Sequence, residues 1–182
     1  MISARIAYQW HWPNDPSRPG TVSHAYPVPP VPELVRVGVG DHPGDPGERP
    51  FNRMSFTFNT GFPSYQFRYV DRLVGDASGL PIPLEGRGVL MVSFREAQAH
   101  TPDGTKGTII SQPAPHLGLN RMVSYAIAGD YEAVLTYGIG IDWPATQANP
   151  QIAVRVYEVT MQTRQGQRRY VVAIDVDASP LG

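Results

Sequence analysis

The sequence predicts an all-β fold, an antiparallel β-sandwich of about eight strands behind an extended, proline-rich N-terminal arm. Three observations lead there. Apolar and polar residues alternate with period two in short runs, as on a half-buried strand. The 182 residues include 18 Gly and 19 Pro, so one residue in five interrupts a helix. No helix-length segment separates the runs, which leaves antiparallel pairing as the default.

The elements follow in order. Val35, Val37 and Val39 share one face of a run beginning at Leu34. Gly40 to Pro50 is a loop rich in Gly, Pro and Asp. Met54, Phe56 and Phe58 alternate with Ser55 and Thr57. A turn with Gly61 and Pro63 leads to a strand over Tyr65–Val70. Residues 71–86 read as loop with a short strand end, and Val89–Phe94 as the next strand. Residues 96–120 are irregular, broken by Pro102, Gly104, Pro113 and Pro115. Met122–Ile127 and Tyr131–Ile139 form a hairpin turning at Ala128-Gly129-Asp130. Ile152–Met161 and Arg169–Val176 close the series. Phe56, Phe58, Phe67, Val92, Leu135, Val156 and Ile174 take inward positions and are the expected core. Gly79, Gly86 and Gly129 are expected in turns with positive φ.

Residues 1–33 differ in composition and set the one domain boundary, with the sandwich over 34–182. The arm holds Pro13, Pro16, Pro19, Pro27, Pro29, Pro30 and Pro32, which exclude helix and central strand. It also carries Tyr8, Trp10, Trp12 and Tyr26, and large aromatics in an extended segment need a surface to lie on. That surface is either the chain's own domain or a neighbouring subunit. These four residues are the candidate docking set for a protein partner or for self-association. Pre-extended proline segments lose little entropy on binding.

Composition excludes several function classes. No cysteine is present, so disulfides, iron–sulfur clusters, cysteine nucleophiles and thiolate zinc sites are ruled out. The net charge of −1 argues against nucleic-acid binding by bulk electrostatics. No apolar run approaches a membrane span, so no membrane insertion is expected. Met1–Tyr8 does not read as a secretory signal, and the chain as given reads as soluble. Taken as complete, it points to the cytoplasm.

The search for reactive constellations is largely negative. The five histidines are scattered, all near Pro-rich or loop stretches. Asp41, His42, Asp45 and Glu48 cluster locally, but their spacing fits no calcium loop and Pro43 and Pro46 limit wrapping, so a solvated loop is expected. Asp175 and Asp177 share a strand face and are expected to be solvated or paired with Arg168 or Arg169. No Gly-x-Ser-x-Gly elbow is present. Tyr137-Gly138-Ile139-Gly140-Ile141 lacks the third glycine and the helix of a phosphate loop and reads as a strand end. The reading is therefore non-enzymatic, without cofactor or metal. For binding, sugar rings lie with their C–H faces on aromatic planes. Trp143 beside Asp142, with Tyr65 and Tyr69, is the candidate ligand-binding set.

Asn52 to Asn59, then Gly61-Phe62-Pro63-Ser64-Tyr65 through Tyr69-Val70, resembles the AMIN-like domain of actinobacterial proteins. That family typically reads Asp-Arg-Val-Val-Phe-Glu-Phe, then Gly-x-Pro-x-Tyr, then Tyr-Val. The similarity continues through Asp76-Ala77-Ser78-Gly79, Pro83-Leu84-Glu85-Gly86, Gly129-Asp130-Tyr131-Glu132, Val154-Arg155-Val156-Tyr157 and Tyr170 to Val176, covering roughly 34–177. This sequence has Asn52 where the family has Asp. The resemblance implies a compact β-sandwich acting as a binding and docking module at the cell envelope. Its implied ligand is a peptidoglycan-like glycan or a protein surface. The alternative is a structural or accessory subunit of a large intracellular assembly, docked through the arm.

Overall fold

Alternation of large apolar residues decides which way each strand faces. In the computed structural model, which describes residues 1–25 and 30–181, twelve strands form. They are β1 (Ser3–His11), β2 (Thr21–Val22), β3 (Leu34–His42), β4 (Phe51–Phe58), β5 (Ser64–Val70), β6 (Leu73–Val74), β7 (Pro81–Ile82), β8 (Gly88–Arg95), β9 (Met122–Tyr131), β10 (Val134–Ile141), β11 (Val154–Gln162) and β12 (Arg168–Asp177). The first sheet has the order β1-β11-β12-β4-β3 and the second β2-β5-β8-β10-β9, while β6 and β7 form a small separate hairpin. All pairings between these strands are antiparallel.

The two sheets pack face to face. Phe56 of the first meets Phe94 and Tyr137 of the second, at ring-centroid distances of 5.0 and 5.2 Å. All seven expected core residues are buried. The architecture is the antiparallel β-sandwich that the alternation predicts, with four more strands than the eight anticipated.

Two of those extra strands lie in the N-terminal segment. Residues 3–11 precede the first proline and hydrogen-bond to β11, and Thr21–Val22 pairs with β5. The prolines between them shape the crossing from one sheet to the other. Strand β1 is an edge strand, which its composition allows.

The β9–β10 hairpin turns later than expected. Strand β9 runs through Gly129 and Asp130 to Tyr131, and the chain reverses at Glu132 and Ala133, with φ of 49° and 58°. Both turn residues take the left-handed region of a two-residue hairpin without the usual Asn or Gly. Gly129 is therefore not a positive-φ turn residue. It leaves room for Asp76, whose Cγ lies 2.8 Å from where a Cβ would stand. Gly79 and Gly86 do have positive φ, at 66° and 110°.

Gly138 and Gly140 also mark close approach. A Cβ at Gly138 would lie 2.6 Å from Leu73 Cδ2, and one at Gly140 would overlap the Glu85 carbonyl and the Ser124 hydroxyl. The two glycines thus let the β6–β7 hairpin and the following loop lie flat on the outer face of the second sheet. Gly138→Ala is expected to cost about 2 kcal/mol by overpacking against buried Leu73. A denaturant melt of the variant beside wild type measures it.

Candidate functional site

The outward positions of the second sheet are Gln66 and Arg68 on β5, Met91 and Ser93 on β8, and Val134 and Thr136 on β10. They alternate with buried Tyr65, Phe67, Val92, Phe94, Leu135 and Tyr137. They floor two hollows of about 400 and 480 Å³ that share Met91 and Ser93, making one open trough across the sheet.

Residues 12–20 build one wall. Asn14 binds the backbone of Tyr69 in both directions, its Nδ2 donating to the carbonyl at 2.9 Å and its Oδ1 accepting from the amide at 2.7 Å. It thereby imitates a strand on the free side of β5. Gly20 accepts from the Phe67 amide at 2.9 Å, and a Cβ there would overlap the Phe67 carbonyl. Asp15 braces the turn between these anchors, accepting from the Ser17 amide (2.9 Å), the Ser17 hydroxyl (2.8 Å) and His11 Nε2 (2.8 Å). Pro13, Pro16 and Pro19 line the wall itself. Across the sheet, Asp76, Ala77 and residues 129–131 form the opposite wall, held by the Asp76 amide donating to the Ala128 carbonyl at 3.0 Å. The floor hydroxyls of Ser93 and Thr136 meet at 3.3 Å, and the Tyr131 ring stands 70% exposed at one end.

The sequence-predicted ligand residues do not converge. Trp143 and Asp142 lie together at one end of the sandwich, lining a separate hollow of about 330 Å³ with Arg121. Trp143 stacks over Gly88 and donates from Nε1 to the Gln147 carbonyl at 3.2 Å. Asp142 is half exposed, 3.7 Å from Arg87. Tyr69 reaches the same end, where its hydroxyl is buried and has no hydrogen-bond partner among the described residues. Burial raises its pKa, opposed by nearby Arg121. Tyr65 lies at the other end, 1% exposed, its hydroxyl donating to Glu158 at 3.0 Å.

Of the docking aromatics, Tyr8 and Trp10 lie on the chain's own sandwich. Tyr8 is buried edge-on to Phe67, 5.0 Å away, and donates from its hydroxyl to the Arg18 carbonyl. Trp10 lies on the outer face of the first sheet under the guanidinium groups of Arg155 (4.5 Å) and Arg49 (4.8 Å). Trp12 is partly buried, and Tyr26 lies outside the described residues.

The acid pair on β12 differs from expectation. Asp175 is fully buried, gripped by Arg53 (2.6 and 2.9 Å) and Arg155 (3.0 and 2.8 Å), while Asp177 pairs with Arg49 at 2.8 Å. Register explains it, since Arg53 and Arg155 stand directly opposite Asp175 on the two neighbouring strands, while Arg168 and Arg169 sit at the strand's far end. Sequence reading also missed Glu158. This carboxylate is 2% exposed and is contacted by Arg5, His24 and Tyr65. Its place on the inward face of β11, following Val154 and Val156, was the available signal.

An open trough thus crosses the outer face of the second sheet of an antiparallel β-sandwich. The chain belongs to the AMIN-like domain family, whose model matches residues 32–177. No curated protein and no solved structure matches it. No helix among the described residues is long and apolar enough to cross a membrane. Position 52, where the resemblance leads one to expect Asp, is Asn, and the amide has a use. Asn52 Oδ1 accepts from the Arg121 and Met122 amides, both at 2.9 Å, while Nδ2 donates to Asp41 at 2.8 Å. A second carboxylate there would face Asp41 without that donor.

The Asp15 carboxyl is held at about 2, below its ordinary 3.8, first by the Ser17 amide, then by the Ser17 hydroxyl and His11. A lowered carboxylate pKa favours the folded turn above the unfolded value near 4. That contribution is lost as pH falls through about 2. A carboxyl NMR titration should give a midpoint near 2 for Asp15, and Ser17→Ala should move it up toward 3.8.

Proposed function

We propose that this chain is a non-catalytic binding module of the cell envelope and that its trough seats a glycan strand. The observation that carries the reading is the trough itself, two hollows joined through Met91 and Ser93 on a rigid sheet face. Its lining suits a sugar chain. Gln66, Arg68, Asp76 and the two floor hydroxyls offer donors and acceptors to ring hydroxyls, while Met91, the wall prolines and the Tyr131 ring offer apolar surface to C–H faces. A protein interface would favour a desolvated aromatic centre, whereas this floor mixes polar and apolar groups throughout. The floor hydroxyls contact each other, and among the described residues neither is hydrogen-bonded to a histidine or carboxylate, which supports binding without reaction. Membership of the AMIN-like family supports the envelope setting.

The test is co-sedimentation of the full chain with purified, insoluble peptidoglycan. Retention is expected for wild type. Ser93→Trp, which fills the trough, should weaken it by about tenfold, and Tyr131→Ala by several-fold, with melting temperatures unchanged. Retention lost on Trp143→Ala but unaffected by Ser93→Trp would move the ligand to the hollow beside Trp143 and Asp142. No retention of wild type would remove the glycan reading.

A further inference from the structure

We infer that β1 is a self-docking edge, on which a second copy of this chain pairs its own β1 in antiparallel register about a two-fold axis at Ala4, joining the first sheets of the two copies into one. Two five-stranded sheets have four edges, and three are blunted. Strand β2 is two residues long. Strand β3 is capped along its first half by residues 110–111, through Ile110 donating to the Val35 carbonyl and Val37 to the Ser111 carbonyl, and its second half carries the charge of Asp41. The first half of β9 is capped by residues 115–119, through Leu117 to the Val123 carbonyl and Tyr125 to the Pro115 carbonyl. Strand β1 pairs with β11 on one side, and among the described residues no backbone group bonds to its other side. Proteins usually protect such an edge with charge, proline or a bulge. Here the one charged residue, Arg5, is engaged by buried Glu158, and the first proline is Pro13.

The free edge is apolar. Ile2 is 50% exposed and Ile6 40%, and Met161, next after Thr160 on β11, is 43% exposed. A register shift between Ile6 and Tyr8 ends the flat stretch, leaving residues 2–6 to pair. Parity then selects the occupant and the register. Keeping core-facing sides together requires opposed residue numbers to share parity. A centre at Arg5 would set two arginines face to face, and a centre at Ser3 would leave Ile6 unmatched. The centre at Ala4 sets Ile2 against Ile6 twice, Arg5 against Ser3 twice and Ala4 against itself. The stretch is thus complementary to its own copy, with no like charges opposed. A strip this short falls below the standard interface size, so the dimer is expected to be weak, with Kd on the order of 10–100 µM.

The test uses the full chain. Sedimentation velocity from about 1 to 300 µM should show a reversible dimer, and Ile2→Lys with Ile6→Lys should weaken it at least about tenfold with an unchanged melt. Cysteine placement reads the register directly, because the chain has no cysteine of its own. Across the two-fold axis the Cβ atoms at position 4 should stand about 4.5–5.5 Å apart, close to disulfide range. Ala4→Cys should therefore form a disulfide dimer under mild oxidant far faster than Ile110→Cys, which is 84% exposed on a different surface. A wild-type chain that stays monomeric to 300 µM, or an Ala4→Cys variant that cross-links no faster than the Ile110→Cys control, overturns the inference.

Discussion

The contact between the two inner faces governs everything else in this molecule. Phe56 and Phe58 of the first sheet both meet the Phe94 ring of the second, and Phe56 also meets Tyr137. A strand turns alternate side chains to opposite faces, so burying these rings leaves no freedom in the other half of each strand. Once Phe94 and Leu135 face inward, Ser93 and Thr136 must face outward and become the trough floor. A slip of one residue in β8 would put hydroxyls in the core and a phenyl ring in the trough.

Buried charge adds a second layer of register control. Asp175 lies with no exposure between arginines from both flanking strands, and one of these, Arg155, lies over Trp10 of β1. A buried carboxylate is costly without partners, and the four guanidinium hydrogen bonds here offset that cost. Only the observed register places both arginines opposite it. Arg121 plays a similar part at the end of the sandwich, donating to the carbonyls of Asp142, Asp177 and Ser179. A slip of either flanking strand would leave Asp175 buried and short of a partner, which ties these contacts to alignment.

The core was legible because period-two alternation is a local property of strands such as Met54–Phe58 and Tyr65–Val70. Strand β1 was not, since prolines later in the same segment dominated its composition and its partner lies at the opposite end of the chain. The turn at Glu132 and Ala133 was hidden because neither residue signals positive φ. The trough was beyond sequence reading for a different reason. Gln66, Ser93 and Thr136 are unremarkable alone, and which strands adjoin is a matter of topology. Gly20, Gly129 and Gly138 were visible as glycines, but the segments they admit could not be named until the fold was known. Glu158 follows Val154 and Val156 on one strand face, which marks a buried polar site without naming its partners.

The pairing of β1 with β11 also bears on how the chain is made. Arg5 and Glu158 are 153 positions apart, so β1 leaves the ribosome long before the strand it pairs with. At about 5–20 residues per second, synthesis separates the two by roughly 10–30 s. Through that interval β1 has both edges free and its isoleucines uncovered. The first sheet cannot close around Asp175 until β11 and β12 have emerged, so the sandwich completes only once those two strands are made. A chain halted before β11 would carry β1 unpaired, the arrangement that nascent-chain chaperones bind.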